Sequence, residues 1–247
     1  MGTLLVEEAL KHPSVFDLVG VTEYAEHPEI GKPLPQKPEL KISGSIKELL
    51  PKADLMIEFT TVESTLCHAK EASAAHVAMV IGTTGFTADQ FEQLKQYARH
   101  TPIFWSPNMS IGIVIIRRTI AAVSQLLAQF GLSEQTHIQL SETHHTKKLD
   151  KPSGTAKALA QEVFQSTGWL IKDEEIEARR EGDVVGVHSV VFQCPSENLT
   201  LTHEATDRRV FAQGALLIAQ HLRHLCEKSG WVTMDDVVTA LQKKTKQ

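Results

Sequence analysis

Four short apolar runs, Phe16–Thr22, Leu55–Phe59, Val77–Ile81 and Ile103–Trp105, are separated by stretches that read as helix or loop. This alternation restricts the fold more than any other feature of the chain. Neighbouring parallel strands can be joined only by a crossover, and a crossover helix covers one face of the sheet it leaves. The first half of the chain is therefore expected to form a doubly wound parallel sheet. In such sheets ligands sit beyond the C-terminal ends of the strands. Glu23, Gly82–Gly85 and Ser106–Asn108 all follow strand ends, so they are expected to line one crevice.

Local signals extend the reading. Leu4, Leu5, Ala9 and Leu10 mark a short helix ended by Pro13, and Ala25–Lys41, with four prolines, reads as a loop. Ser45–Glu48 matches a capping box for a short helix stopped by Pro51. Ser64–Ala75 reads as an Ala-rich helix, and Thr87 with Gln90 as a second capping box for a helix reaching about Arg99. After Asn108 the pattern changes to a long helix over Met109–Phe130, a strand over Thr136–Ser141, a helix over Ser153–Phe164, and adjacent strands over Val184–Gln193 and Leu199–Glu204. That order predicts a second, mixed α/β domain with a more open sheet. Helices over Arg209–Cys226 and Met234–Leu241 are expected to return to the first domain. The limits are then 1–110 with 208–247 for one domain and 111–207 for the other.

Composition removes several function classes. With 25 Lys+Arg against 30 Asp+Glu the formal charge is −5, which argues against nucleic acid, because phosphate binding needs a basic surface. The longest apolar run, Ile111–Ile116, is broken by Gly112 and followed by Arg117 and Arg118, short of the ~20 residues of a membrane span. The first residues carry Glu7 and Glu8 where a secretory signal needs a basic start. Cys67, Cys194 and Cys226 are far apart with no CxxC spacing, which excludes a disulfide framework or zinc ribbon and fits a reducing cytoplasm.

Chemistry-bearing residues concentrate in Glu142–Ala156, where His144, His145, Lys147, Lys148 and Lys151 make a cationic loop in an acidic chain. Pro152-Ser153-Gly154-Thr155 then opens a helix whose free N–H groups and dipole form an anion site. The expected ligand is a small anion bearing carboxylates or a phosphate. His144 and Lys148 are the groups able to supply a proton or stabilise developing negative charge. A solvated basic loop before an ordinary helix is the plainer alternative. Metal binding is weaker, because adjacent histidines point apart on a strand and no third ligand stands at a recurrent spacing. Of the twelve histidines, only this pair is assigned chemistry. Gly82-Thr83-Thr84-Gly85 is either a plain turn or a backbone contact for a cofactor. Glu23 carries more information: in dinucleotide-binding folds an acidic residue ~20 positions after the Gly-rich turn bonds the ribose, and counting back reaches Gly2. Arg208 is expected to clamp a carboxylate or cofactor phosphate if it faces an interdomain cleft.

The cluster Glu142-Thr143-His144-His145-Thr146-Lys147-Lys148-Leu149-Asp150-Lys151-Pro152-Ser153-Gly154-Thr155-Ala156 resembles the signature E-x-H-H-x-x-K-x-D-x-P-S-G-T-A of the dihydrodipicolinate reductase family. Gly82–Phe86, Ser106–Ser110, Gly182–His188 and Arg208 with Phe211, Ala212, Gly214 and Ala215 extend the resemblance over nearly the whole chain. The resemblance implies a Rossmann-type domain, a mixed α/β domain for substrate and tetramerisation, and NADPH or NADH as hydride donor. It further implies a cyclic dicarboxylate imine as substrate, a cytoplasmic homotetramer, and a place in lysine and diaminopimelate biosynthesis. By position, His144 and Lys148 become the acid–base pair, and His145, Ser153, Gly154 and Thr155 hold the substrate. Met1, Gly2, Glu23, Gly82, Thr83, Thr84, Ser106, Pro107, Asn108, Met109 and Arg208 contact the cofactor. No metal is implied.

Two departures stand out. Met1-Gly2 matches the end of the family's Gly-rich loop, so the first strand of the sheet is expected to be missing, with roughly ten to fifteen further residues upstream. The stretch before Gly182 is also shorter than in most relatives. Tyr24 stands where many relatives carry an arginine suited to a 2′-phosphate, which leaves NADPH and NADH both open. Two other readings follow: a nicotinamide enzyme such as a semialdehyde dehydrogenase, whose Cys nucleophile is disfavoured by the helical setting of Cys67, and a cofactor-deficient relative that keeps only the anion site.

Overall fold

The computed structural model describes residues 1–225 and 229–245. The chain runs α1 (Gly2–Leu10), β1 (Val21–Thr22), β2 (Pro33–Leu34), β3 (Lys37–Ser43), β4 (Leu55–Glu58), α2 (Val62–Ala74), β5 (Ala78–Ile81), α3 (Ala88–Tyr97), β6 (Pro102–Trp105), α4 (Ile111–Gln129), β7 (His137–His144), α5 (Gly154–Thr167), β8 (Glu177–Arg180), β9 (Gly186–Gln193), β10 (Asn198–Ala205), α6 (Arg209–Leu225), β11 (Gly230–Val232) and α7 (Met234–Thr245). Cys226, predicted to close the helix after Arg209, lies outside the described residues. Two compact units result: Met1–Met109 with Phe211–Gln247, and Ser110–Val210.

The first unit is built on a parallel sheet in the order β11-β6-β5-β4. Every residue of β5 is buried, as a parallel strand covered on both faces requires. On one face Met79, Ile81 and Ile103 pack with Ala69, Ala72 and Leu94 of α2 and α3. On the other, Ala78, Val80 and Phe104 meet Ala215, Ile218 and Leu222 of α6 and Val237 of α7. The predicted capping box at Thr87 and Gln90 opens α3. The expected strand Phe16–Thr22 contracts to β1, which pairs with β3 and belongs to a separate sheet of order β1-β3-β2. The other strands of that sheet, β2 and most of β3, come from the stretch expected to be a loop, although the residues paired with β1, Ile42 and Ser43, follow it. Proline is tolerated there because at Pro38 β3 has a neighbour on one side only, β1 reaching just Ile42 and Ser43. After Ser45 the chain forms two 3-10 turns, Ile46–Glu48 and Leu50–Lys52, in place of one capped helix, and Pro51 sits inside the second turn. A proline in a first helical turn gives up an N–H that would have no partner. Leu5 of α1 packs on the α6 side of the parallel sheet and Val6 on Leu34 and Ile42, so α1 joins the two cores.

The second unit is a four-stranded mixed sheet, β10-β9-β7-β8, with only the β7–β8 pair parallel. Ile116, Ile120 and Leu127 of α4 and Leu159 and Val163 of α5 pack on Leu140, Val190 and Phe192. By length and composition α4 is sufficient to cross a membrane; the sequence reading missed this because Arg117 and Arg118 interrupt the run. Its Ile113, Ile116, Ile120 and Leu127 are buried at helical spacing, and Arg117 pairs with Glu162 of α5 at 2.8 Å. Pairing with β8 and β9 on its two sides carries β7 three residues beyond the predicted end at Ser141. Glu142, Thr143 and His144 therefore lie on a strand, not in a loop.

Candidate active site

Alternation along β7 puts Glu142 and His144 on the same buried face. The register sets Glu142 opposite His188 on β9, and His188 opposite His203 on β10. One carboxylate and two imidazoles thus form a row across three strands, while His144 stands in the next row, opposite Arg180 of β8. The His144 and His188 rings are 5.0 Å apart and those of His188 and His203 6.4 Å.

Both oxygens of Glu142 are engaged. Oε2 is bonded to Nδ1 of His144, while Oε1 accepts from Arg180 Nη1 at 2.9 Å and from the Ser153 amide at 3.3 Å. The other ring nitrogen of His144, Nε2, rests against Gly186, where a Cβ would come within 3.0 Å of it. Burial pulls the His144 pKa below its ordinary value; Glu142 opposes this, and the charges of Lys148 and Arg180 add to it. Burial, reinforced by the neighbouring His144 and His203, pushes His188 down to about 3. Its Nε2 lies 3.3 Å from Ser153 Oγ, and its Nδ1 is buried without a partner. His203 is also lowered by burial, with Nε2 3.0 Å from Ser110 Oγ. The imidazole of His144 is accordingly not part of a cationic loop, and two histidines read as ordinary stand beside it. The third donor that sequence spacing failed to show comes from β9: Glu142, His144 and His188 bring their ligand atoms within 4.8 Å of one another. In this arrangement, however, the carboxylate is already spent on His144, Arg180 and Ser153.

The loop between β7 and α5 is tied down by the same guanidinium. Arg180 Nε donates to the Lys148 carbonyl at 3.1 Å and Nη2 donates to the Asp150 carbonyl. Lys148 Nζ lies 2.7 Å from Asp150 Oδ1. Burial alone would raise the Asp150 pKa, but Lys148 and the N–H groups of Asp150 and Gly154 together hold it below its ordinary value. Ser153 caps α5, its Oγ accepting from the Ala156 amide at 3.2 Å. His145 presents a buried, unpartnered Nδ1. His144, His145, Lys148, Ser153, Gly154 and Thr155 are thus gathered at one end of the second unit. There, the Ser153 and Gly154 amides and Lys148 meet two of the protein's own carboxylates, Glu142 and Asp150. Sequence reasoning missed Arg180, His188 and His203 as neighbours, and gave Asp150, inside the cluster, no role. Alternation in Gly186–Gln193 marks His188 as core-facing, but only the strand register sets it against Glu142.

In the first unit, Gly82–Thr84 follow β5 and Ser106–Met109 follow β6, side by side. The Ser106 amide donates to the Ile81 carbonyl at 3.2 Å, and the Trp105 indole to the Thr83 carbonyl at 2.8 Å. Gly82 sits against Phe59, whose ring a Cβ would meet at 2.1 Å. Ser106 Oγ donates to the Asn108 carbonyl at 2.7 Å, Pro107 is exposed, and Met109 is buried. Met1 is the N-cap of α1 and Gly2 its first residue, with no side-chain cap. Glu23 is exposed just after β1, in the separate sheet. Arg208 lies in the second unit, between β10 and α6. Cys67 is exposed within α2. One further pair escaped the sequence reading: buried Glu58, ending β4, holds His68 Nδ1 at 2.6 Å, and that bond raises the His68 pKa against the effect of burial.

Residues 1–109 match the family model described as dihydrodipicolinate reductase, N-terminus, and residues 112–238 the one described as dihydrodipicolinate reductase, C-terminus. The chain is 36% identical to a 4-hydroxy-tetrahydrodipicolinate reductase of Desulfovibrio desulfuricans, over 85% of each chain. It is 34% identical to the protein of the same name from Aquifex aeolicus, over 96% of this chain and 94% of that one. Among solved structures it is similar to the dipicolinate-bound dihydrodipicolinate reductase from Paenisporosarcina sp. TG-14, with a TM-score of 0.72 and 22% identity over 95% of both chains. At that identity the likeness is one of fold.

Proposed function

The chain belongs to the dihydrodipicolinate reductase family, and from that premise we propose how its residues divide the work of the reaction. It is an NAD(P)H-dependent oxidoreductase of lysine and diaminopimelate biosynthesis, acting on a small dicarboxylate. The finer reading is a cyclic imine substrate, with proton transfer by His144 and Lys148. The unit formed by Met1–Met109 and Phe211–Gln247 is assigned to the dinucleotide, and Ser110–Val210 to the substrate and to oligomerisation.

The residues of the first unit fit a dinucleotide. The loops after β5 and β6 adjoin, Gly82 has no room for a side chain, and the uncapped start of α1 presents amide groups suited to a phosphate. Of this unit, Met1, Gly2, Gly82, Thr83, Thr84, Ser106, Pro107, Asn108 and Met109 would hold the cofactor, with Glu23 on the ribose. When bound, NAD(P)H supplies the hydride. The observation that carries the proposal is the buried array of Glu142, His144, Arg180 and Ser153 beside Lys148. A dicarboxylate arriving there meets Lys148 in place of Asp150, together with His145 and the start of α5, including Ser153, Gly154 and Thr155. Its negative charge raises the proton affinity of His144, so the imidazole gains its proton as the substrate binds and passes it on as hydride arrives.

A homotetramer is proposed on the open face of the second unit's sheet, where Ser141, Thr143, Val187, Ser189, Val191, Thr200 and Thr202 form a surface rich in β-branched residues, bordered by Glu177, Arg179 and Glu204 and suited to sheet-on-sheet packing. A cytoplasmic setting, without nucleic acid or membrane, accords with the free thiols of Cys67 and Cys194 and the net charge of −5. The test is NAD(P)H oxidation with freshly prepared substrate. His144→Ala and Lys148→Ala are each expected to lose roughly 10²-fold or more in turnover; unchanged turnover in either removes that residue from its role. Calorimetric titration with NADH and NADPH decides between the two cofactors.

A further inference from the structure

We propose that Glu142 is the positioning residue of this site: by accepting the Nδ1 proton of His144 on Oε2, while Arg180 and the Ser153 amide hold Oε1, it imposes the tautomer in which Nε2 is the working nitrogen. The inference rests on the reading of His144 as the proton donor. A carboxylate can only accept hydrogen bonds, so the nitrogen facing it must carry a proton. Glu142 itself cannot swing. It is 1% exposed, sits on a strand paired on both sides, and its second oxygen is bonded to the guanidinium at 2.9 Å and to the amide at 3.3 Å. Nε2 takes part in no hydrogen bond among the described residues and faces Gly186, which has no side chain to cover it. The ring therefore has one nitrogen committed and one available for reaction.

The charges around the imidazole give Glu142 a second effect. Arg180 approaches from β8 and Lys148 from the following loop, where Asp150 partly offsets it. From β9 comes His188, with His203 behind it on β10; both are neutral near pH 7. Glu142 is thus the anion that balances two cations around a buried imidazole. Without it His144 would lose affinity for the proton it has to donate. The step needing protonated His144 would then fail at a lower pH than in the native protein.

The decisive measurement uses the native protein. With histidine labelled in 15N, and His144→Gln used to assign the resonance, the neutral form of His144 at pH 8 is expected to carry its proton on Nδ1 alone. A proton on Nε2, or an even mixture, overturns the proposal. Glu142→Gln keeps the shape but removes the charge. It is expected to cost roughly 10- to 100-fold in kcat at neutral pH, with KM for substrate little changed and the alkaline limb of the pH profile moved to lower pH. Glu142→Asp should recover part of the rate. A Glu142→Gln protein that loses rate at every pH alike, with the limb unmoved, overturns the proposal in favour of a purely structural role. If His144→Gln itself keeps full turnover, the acid assignment fails instead, a result distinguishable because the tautomer measurement does not depend on turnover.

Discussion

Replacing Gly186 with alanine perturbs the site by one methyl group. That carbon would lie 3.0 Å from Nε2 and 3.2 Å from Cδ2 of His144, and 3.8 Å from Cε1 of His188. Carbon contacts are optimal at about 3.5–4.0 Å, so the imidazole has to retreat by a few tenths of an ångström. It has little freedom to do so, since Nδ1 is bonded to Glu142 and Glu142 to Arg180 and Ser153. The effect on stability is small. Gly186 is not among the residues with positive φ, so alanine fits the backbone and stabilises by about 0.4–1 kcal/mol through the unfolded chain. Crowding costs about 1 kcal/mol, at the low end for an overpacked site, and the two nearly cancel. Catalysis is far more sensitive, because a misplacement of about 1 Å costs on the order of 10²-fold. Gly186→Ala is expected to lose about tenfold in kcat, with its urea midpoint near the native one and its KM for NAD(P)H unchanged. The pair of measurements is steady-state NAD(P)H oxidation and a denaturation curve. Native kcat with native stability would refute the assignment of Nε2 as the pinned, reacting atom.

Two more outcomes follow from packing. His188 has a folded-state pKa of about 3 against 6.5 for the unfolded chain, so below pH 6.5 the unfolded state takes up a proton that the folded state refuses. Stability should fall as pH drops from 6.5 to 3, by roughly 4–5 kcal/mol from this group. Urea unfolding of His188→Gln should show a flatter dependence in that window, and an equal slope would contradict the assignment. Gly214 of α6 lies so close to Met109 that a Cβ would sit 1.8 Å from its carbonyl oxygen and 2.9 Å from its carbonyl carbon. Neither backbone can yield, so Gly214→Ala is expected to cost about 3 kcal/mol or more or to abolish folding, and a native unfolding midpoint would refute this close approach.

The sequence alone determined the elements whose signal is local. Alternating strands and helices specify the doubly wound half, since β4, β5 and β6 are runs of apolar residues between helices with their own caps. Thr87 with Gln90 caps α3 as its residue types dictate, and Ser153 caps α5. The signature from Glu142 to Ala156 identified the stretch where chemistry gathers. What it could not decide lies in pairing between distant strands. β8, with the sequence Glu-Ala-Arg-Arg, has no apolar alternation and becomes a strand only because β7 offers it an edge. The prolines of Ala25–Lys41 read as loop, yet β2 and β3 form there, Pro38 falling where β3 has a neighbour on one side only. Above all, the strand register, a long-range property, places Arg180, Gly186 and His188 around His144. It turned a run of cationic side chains into a buried imidazole held between one carboxylate and one guanidinium.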